Sequence, residues 1–184
     1  MRVIAGESRG LRLNSPKSDQ VRPTSDMHRE MVFNVIADRV RGSRFLDLFA
    51  GTGAVGIEAL SRGAECCVFI DNSREAAETV KKNVALAGYG MKSRVIRADF
   101  INAVDMLARE RERFDIVFMD PPYGRGMDER CVPLIESGSL LCPGGLIITE
   151  RASREGTPSY AGFEIVKAKA YKTASFFFIK KADW

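Results

Sequence analysis

Asp47-Leu48-Phe49-Ala50-Gly51-Thr52-Gly53-Ala54-Val55-Gly56 is the stretch that decides the fold. It follows an apolar run, residues 45–49, and leads into residues 54–62, whose apolar spacing is helical. Gly51, Gly53 and Gly56 form a G-x-G-x-x-G pattern between strand and helix. Glycines there allow a tight turn and a close backbone approach by a ligand. The pattern serves several nucleotide cofactors, so by itself it specifies an architecture and leaves the ligand open.

Outward from this loop the chain alternates. Strands are expected at residues 45–49, 66–71, 94–98, 114–120 and 145–150, and helices at 54–62, 73–87, 100–112 and 127–138. The strands are mostly continuous apolar runs, as required when helices cover both faces of a parallel sheet. The alternation predicts a doubly wound α/β domain. Residues 163–169 and 175–181 have only a short connection and should pair antiparallel. Upstream, residues 1–14 read as a β-hairpin around Gly6-Glu7-Ser8-Arg9-Gly10, and residues 15–23, with Pro16 and Pro23, as a loop. A helix should start at Thr24 or Ser25, with Asp26 and Glu30 suited to its positive end and Met31, Val32, Val35 and Ile36 on its apolar face. No repeat or linker divides the chain, so residues 1–184 are expected to form one domain, with 1–23 as an extension.

The chain has 184 residues, 45% hydrophobic and 28% charged, the composition of a globular domain with a full core. No apolar run reaches the ~18 residues of a membrane span, and the first thirteen residues are too polar for a secretory signal. Both features point to the cytoplasm and away from membranes. Cys66 and Cys67 are adjacent in an apolar run, Cys131 and Cys142 are isolated, and the single histidine, His28, is distant in sequence. No metal site or disulfide framework is expected from that spacing. The formal charge is +4, and Arg2, Arg9, Arg12, Lys17, Arg22 and Arg29 fall in the first thirty residues. That cluster is either a solvated surface or a polyanion contact.

Three acidic positions bear on the ligand. Asp71 ends the second strand twenty residues after Gly51, where a carboxylate grips ribose hydroxyls. Asp47 stands just before the loop. It would be a poor neighbour for a pyrophosphate, but suits the ammonium and sulfonium of S-adenosyl-L-methionine (AdoMet). Asp99-Phe100 follows the third strand; Asp99 can accept from an adenine amino group and Phe100 can pack on the ring, and Asp99 can equally cap a helix.

Asp120-Pro121-Pro122-Tyr123 follows the apolar run 114–119. An exocyclic amino nitrogen on a nucleobase is nearly planar and a poor nucleophile. Asp120 and the Pro121 carbonyl can accept from its two N–H groups and favour a more electron-rich nitrogen. The prolines fix φ and donate nothing. Tyr123 offers a stacking face, worth ~1–3 kcal/mol per base. The target base must be unpaired or flipped out.

With these segments in hand, the sequence resembles the RsmD-type methyltransferases, which modify the N2 amino group of a guanine in bacterial 16S ribosomal RNA. The resemblance spans nearly the whole chain: Arg2 to Gly6 with Arg9-Gly10, Arg22-Pro23-Thr24, Arg29-Glu30, Phe33-Asn34, the glycine loop, Glu58 to Ala64, and Asp120 to Tyr123. It implies AdoMet as cofactor, held by Asp47, Gly51, Gly53, Asp71, Asp99 and Phe100, and catalysis by Asp120, Pro121 and Tyr123. It implies a class I methyltransferase sheet of seven strands, mixed because its last hairpin is antiparallel. It also implies that the N-terminal hairpin carries Arg9, Arg12, Arg22 and Arg29 to RNA phosphates, and that the substrate is a partly assembled small subunit. A monomer is the default. The family tends to carry Tyr-Gly-x-Thr near its last strand, and Tyr171-Lys172-Thr173 departs from it. Alternatives are an amino methyltransferase acting on adenine or cytosine in another RNA or DNA, a nicotinamide-dependent oxidoreductase, and a non-catalytic RNA-binding module. His28 reads as an ordinary helix-surface residue, and Glu150, at the end of the fifth strand, could line the pocket but is assigned no catalytic or binding role.

Overall fold

The computed structural model describes residues 1–15, 25–124 and 126–182. Five strands arise from the apolar runs: β1 (Arg44–Asp47), β2 (Cys66–Asp71), β3 (Ser93–Arg97), β4 (Phe114–Met119) and β5 (Leu141–Ala152). Two more, β6 (Phe163–Ala170) and β7 (Ala174–Lys181), complete one seven-stranded sheet of order β3-β2-β1-β4-β5-β7-β6. The first five pair in parallel, and β7 runs antiparallel to both β5 and β6.

Both faces of the sheet are apolar because successive side chains alternate sides. Phe45, Phe69 and Ile116 face one core; Leu46, Val68 and Val117 face the other. The first core is covered by helices α1 (Asp26–Val35), α2 (Ala37–Val40), α3 (Ala54–Ser61) and α4 (Arg74–Leu86), the second by α5 (Phe100–Arg109) and α6 (Met127–Ser137). Ser25 caps α1 by accepting from the His28 N–H at 3.2 Å, and Ser73 caps α4 by accepting from Ala76 at 3.3 Å.

Three details differ from the sequence expectation. β5 begins at Leu141, not Gly145, because Leu141 pairs with Phe114 before a register irregularity that spans Pro143-Gly144. The N-terminal hairpin is reduced to one antiparallel bridge, Arg2 to Arg12, flanked by Val3 N–H to the Leu11 carbonyl at 2.9 Å and Gly10 N–H to the Val3 carbonyl at 2.9 Å. His28 is half-buried, its ring 4.7 Å from that of Tyr171 and 5.2 Å from that of Phe176. Arg22, Pro23 and Thr24 lie outside the described residues.

The turn at Tyr171-Lys172-Thr173 closes with the Tyr171 N–H on the Ala174 carbonyl at 2.8 Å. Among the described residues, Arg111 and Ser139 are the non-glycine positions with positive φ, so Lys172 needs none of glycine's freedom. The outer strands carry basic side chains. β6 exposes Lys167 and Lys169 beside an irregularity at Val166, and β3 exposes Arg94 and Arg97.

The N-terminal arm docks on α3 through Glu58, which is fully buried. Its carboxylate accepts from the Ile4 N–H at 2.7 Å, the Ala5 N–H at 3.0 Å and Arg62 Nε at 2.7 Å. Ser61 Oγ donates to the Ala5 carbonyl at 2.6 Å and accepts from Ser8 at 3.0 Å. Gly6, at φ +84°, must be glycine here, since a Cβ would lie 1.8 Å from the Ser61 carbonyl oxygen. Removing the carboxylate leaves two backbone donors and a guanidinium without their acceptor. Glu58→Ala is therefore expected to lower the unfolding free energy by about 3 kcal/mol, measured by urea denaturation at neutral pH. A loss well under 1 kcal/mol would show that the arm's attachment adds nothing to stability.

Candidate active site

The strand order reverses at β1, which has β2 on one side and β4 on the other. Open α/β sheets bind ligands at the carboxyl edge of such a point, because the following loops diverge to opposite faces. A cleft of about 570 Å³ lies there, lined by the loops after β1, β2, β3 and β4. It gathers Asp47, Gly51, Asp71, Asp99, Phe100 and Asp120, with Pro121 and Tyr123.

The glycine loop is pinned at both ends by carboxylates. Asp71 Oδ2 accepts from the Gly51 N–H at 2.9 Å, and its Oδ1 accepts from Ser73 at 2.9 Å. Asp47 Oδ2 accepts from the Gly56 N–H at 3.1 Å. Gly53 does not line the cleft. Its φ of +76° makes the turn into α3, and a Cβ would sit 3.2 Å from Val80 Cγ1 on the side away from the ligand space. Gly56 is required by helix-to-sheet packing, since a Cβ would fall 2.3 Å from Phe69 Cε1.

Asp47 is 1% exposed, and burial raises its carboxyl from 3.8 to about 7. The Gly56 N–H works against that rise and the neighbouring Asp71 charge adds to it. Among the described residues no cation offsets it. A ligand bringing positive charge to this end of the cleft would meet this acidic side chain, which fits the cationic end of AdoMet. Asp99 caps α5, accepting from Ile101 at 3.0 Å and Asn102 at 3.1 Å. The Asn102 N–H holds its carboxyl below the usual range. Phe100 is buried beside Phe49, with ring centroids 6.0 Å apart.

Asp120 to Tyr123 follow β4 and line the same cleft. The Tyr123 hydroxyl donates to Glu150, which is 4% exposed at the end of the apolar part of β5. Phe49 lines the cleft and was not expected there, while Glu150, a candidate for the pocket wall, instead lies behind it and holds Tyr123. Glu150 had a signal, a carboxylate ending a buried strand; Phe49 read as strand interior.

The predicted basic residues separate. Arg9 and Arg12 are exposed on the arm. Arg29 is not available to a phosphate: it is 1% exposed, and its guanidinium donates to Asp26 Oδ1 at 2.7 Å and to the Arg2 carbonyl at 2.7 Å. It joins α1 to the arm from within. Arg22 lies outside the described residues.

Sheet order, reversed final hairpin and carboxyl-edge cleft together define a class I methyltransferase fold. The chain belongs more narrowly to the family described as Conserved hypothetical protein 95, whose model matches residues 1–180; this is the RsmD-type family the sequence resembles. It is 36% identical over 169 residues to YlbH of Bacillus subtilis, covering 92% of each chain. It is 38% identical over 159 residues to ribosomal RNA small subunit methyltransferase D of Escherichia coli, covering 86% of this chain and 78% of that one. The solved structure of the Escherichia coli protein yhhF superposes with a TM-score of 0.86 at 31% identity, covering 98% of this chain and 97% of that one.

The raised Asp47 carboxyl has a stability signature. Near pH 4 the group is largely protonated in the folded state, and below that in the unfolded state too, so burial costs little. As pH rises from about 4 through about 7, the unfolded state loses its proton first and the fold is progressively penalised. Asp47→Asn should thus raise the thermal midpoint of the ligand-free protein at pH 8 and leave it nearly unaltered at pH 3. Equal shifts at both pH values would rule out a buried charge as the cause.

Proposed function

We propose that this chain transfers a methyl group from AdoMet to the N2 amino group of a guanine in 16S ribosomal RNA, within an assembling small subunit. The observation that carries the reading is that Asp120-Pro121-Pro122-Tyr123 lines one cleft together with Asp47 and the glycine loop. The names of the small-subunit methyltransferase D relatives support ribosomal RNA as the substrate. The guanine and the assembly context rest on the family resemblance.

AdoMet, when bound, would supply an electrophilic methyl group on a sulfonium. Asp47 then provides the negative charge near its cationic end, and Asp71 and Asp99 face its ribose and adenine. Asp120 and the Pro121 carbonyl accept from the two amino N–H groups and turn the nitrogen's lone pair toward the methyl carbon. No strong general base is needed, because the proton lost after transfer can pass to solvent. Catalysis here is mainly positioning. Tyr123 stacks on the flipped base. Arg9 and Arg12, exposed on the docked arm, contact phosphates and orient the RNA without reading sequence.

The test uses labelled AdoMet with unmodified small subunits, naked 16S rRNA and DNA in separate reactions, followed by nucleoside analysis. N2-methylguanosine from small subunits is expected. Label in N6-methyladenosine, in N4-methylcytidine or only in DNA overturns the assignment. Asp120→Ala should reduce turnover by about 1,000-fold or more while AdoMet affinity stays within a few-fold. Wild-type turnover in that variant would remove Asp120 from the mechanism.

A further inference from the structure

Two carboxylates from one short segment grip consecutive residues, Tyr123 and Gly124, at the end of the loop after β4. Glu150, in β5, accepts from the Tyr123 hydroxyl, and Glu155, five residues on, accepts from the Gly124 N–H. Glu155 also accepts from the Ala152 N–H at 3.1 Å, which closes the turn that aims it. Between them, Arg151 is 7% exposed and ties the segment to α6: it lies 3.4 Å from Asp128, 3.2 Å from Glu129 and 3.7 Å from Glu155. Asp128 is itself buried and accepts from the Tyr160 hydroxyl. The loop after β4 is thus held by a charged lattice that reaches across β5 and α6.

We propose that Glu150 and Glu155 are positioning residues for methyl transfer: Glu150 fixes the plane of the Tyr123 ring, and Glu155 fixes the backbone just beyond it. This rests on the reading of Asp120, Pro121 and Tyr123 as the amino-group site. The physical argument is one of leverage. A stacking ring orients a base only if its own torsions are fixed. A tyrosine ring has two, and a hydroxyl bonded to a buried carboxylate restrains both. Gly124 has φ +76°, the conformation that reverses the chain, so a bond to its N–H holds the loop's exit. Neither carboxylate lines the cleft, so neither is expected to touch AdoMet.

The test compares Glu150→Ala, Glu150→Gln, Glu155→Ala, Glu155→Gln and Tyr123→Phe, with rates normalised to AdoMet-binding sites measured by calorimetry. Each alanine variant should lower kcat by about tenfold or more, the scale of a charge-assisted hydrogen bond. AdoMet affinity should stay within about twofold. The glutamines keep a carbonyl acceptor and should restore most of the rate. Tyr123→Phe should match Glu150→Ala, and the double variant should be no slower than either single one, since both remove the same bond. Wild-type kcat in Glu150→Ala and Glu155→Ala overturns the proposal, as does a double variant whose losses multiply. A merely structural role would show as fewer binding sites and equal loss in the glutamine variants, which also overturns it. Should Glu150→Ala fail to fold, the Glu155 pair and Tyr123→Phe carry the same comparison. If Asp120→Ala and Tyr123→Ala also keep full activity, the fault lies in the amino-group reading beneath the proposal.

Discussion

Two carboxylates at the ends of neighbouring parallel strands hold the glycine loop, and the remaining site is arranged around that clamp. Asp71 takes the N–H of the first glycine and Asp47 that of the third. Between these points the backbone has little freedom, so α3 begins where a ligand can approach the turn. Asp47 is buried against the preference of a charge, a cost that the cationic ligand proposed above would offset. The clamp therefore links folding to ligand choice. A neutral residue at 47 could still accept from Gly56, but it would give a cationic ligand no advantage over a neutral one.

α3 has a second duty. Its inner face packs on β2 through Gly56, while Glu58 and Ser61 turn outward to receive the N-terminal arm. The segment from Glu58 to Ala64, which marks the family in the sequence, is thus partly a docking surface for the first eight residues. Arg62 bonds to Glu58 and lies over the Phe33 ring at 4.9 Å, so α1 is drawn into the same joint. Asn83 of α4 extends it: its amide donates to the Asn14 carbonyl at 3.0 Å and to the Thr52 carbonyl at 2.9 Å. The arm and the glycine loop therefore share one side chain.

Much of this was legible in the sequence because the informative signals are local. Continuous apolar runs gave the parallel strands, and Ser25, Ser73 and Asp99 mark helix starts through bonds spanning two or three residues. The glycine loop and Asp120 to Tyr123 carry their conformations in their own composition. What escaped was set by distance. Glu150 meets Tyr123 across 27 residues and Glu155 meets Gly124 across 31, and nothing local encodes either meeting. Arg29 was misplaced for a subtler reason. It precedes Val32, Phe33 and Ile36 by three, four and seven, so helical periodicity assigns it to the buried stripe. Its charge suggested the surface, and Asp26 with the Arg2 carbonyl made burial tolerable.

The two outer strands have a consequence beyond the active site. A sheet with open edges can go on recruiting strands from other molecules. Here β6 is bent by an irregularity at Val166 and carries Lys167 and Lys169, while β3 carries Arg94 and Arg97. Charged side chains on both outer strands and a bulge in β6 oppose growth of the sheet into a polymer.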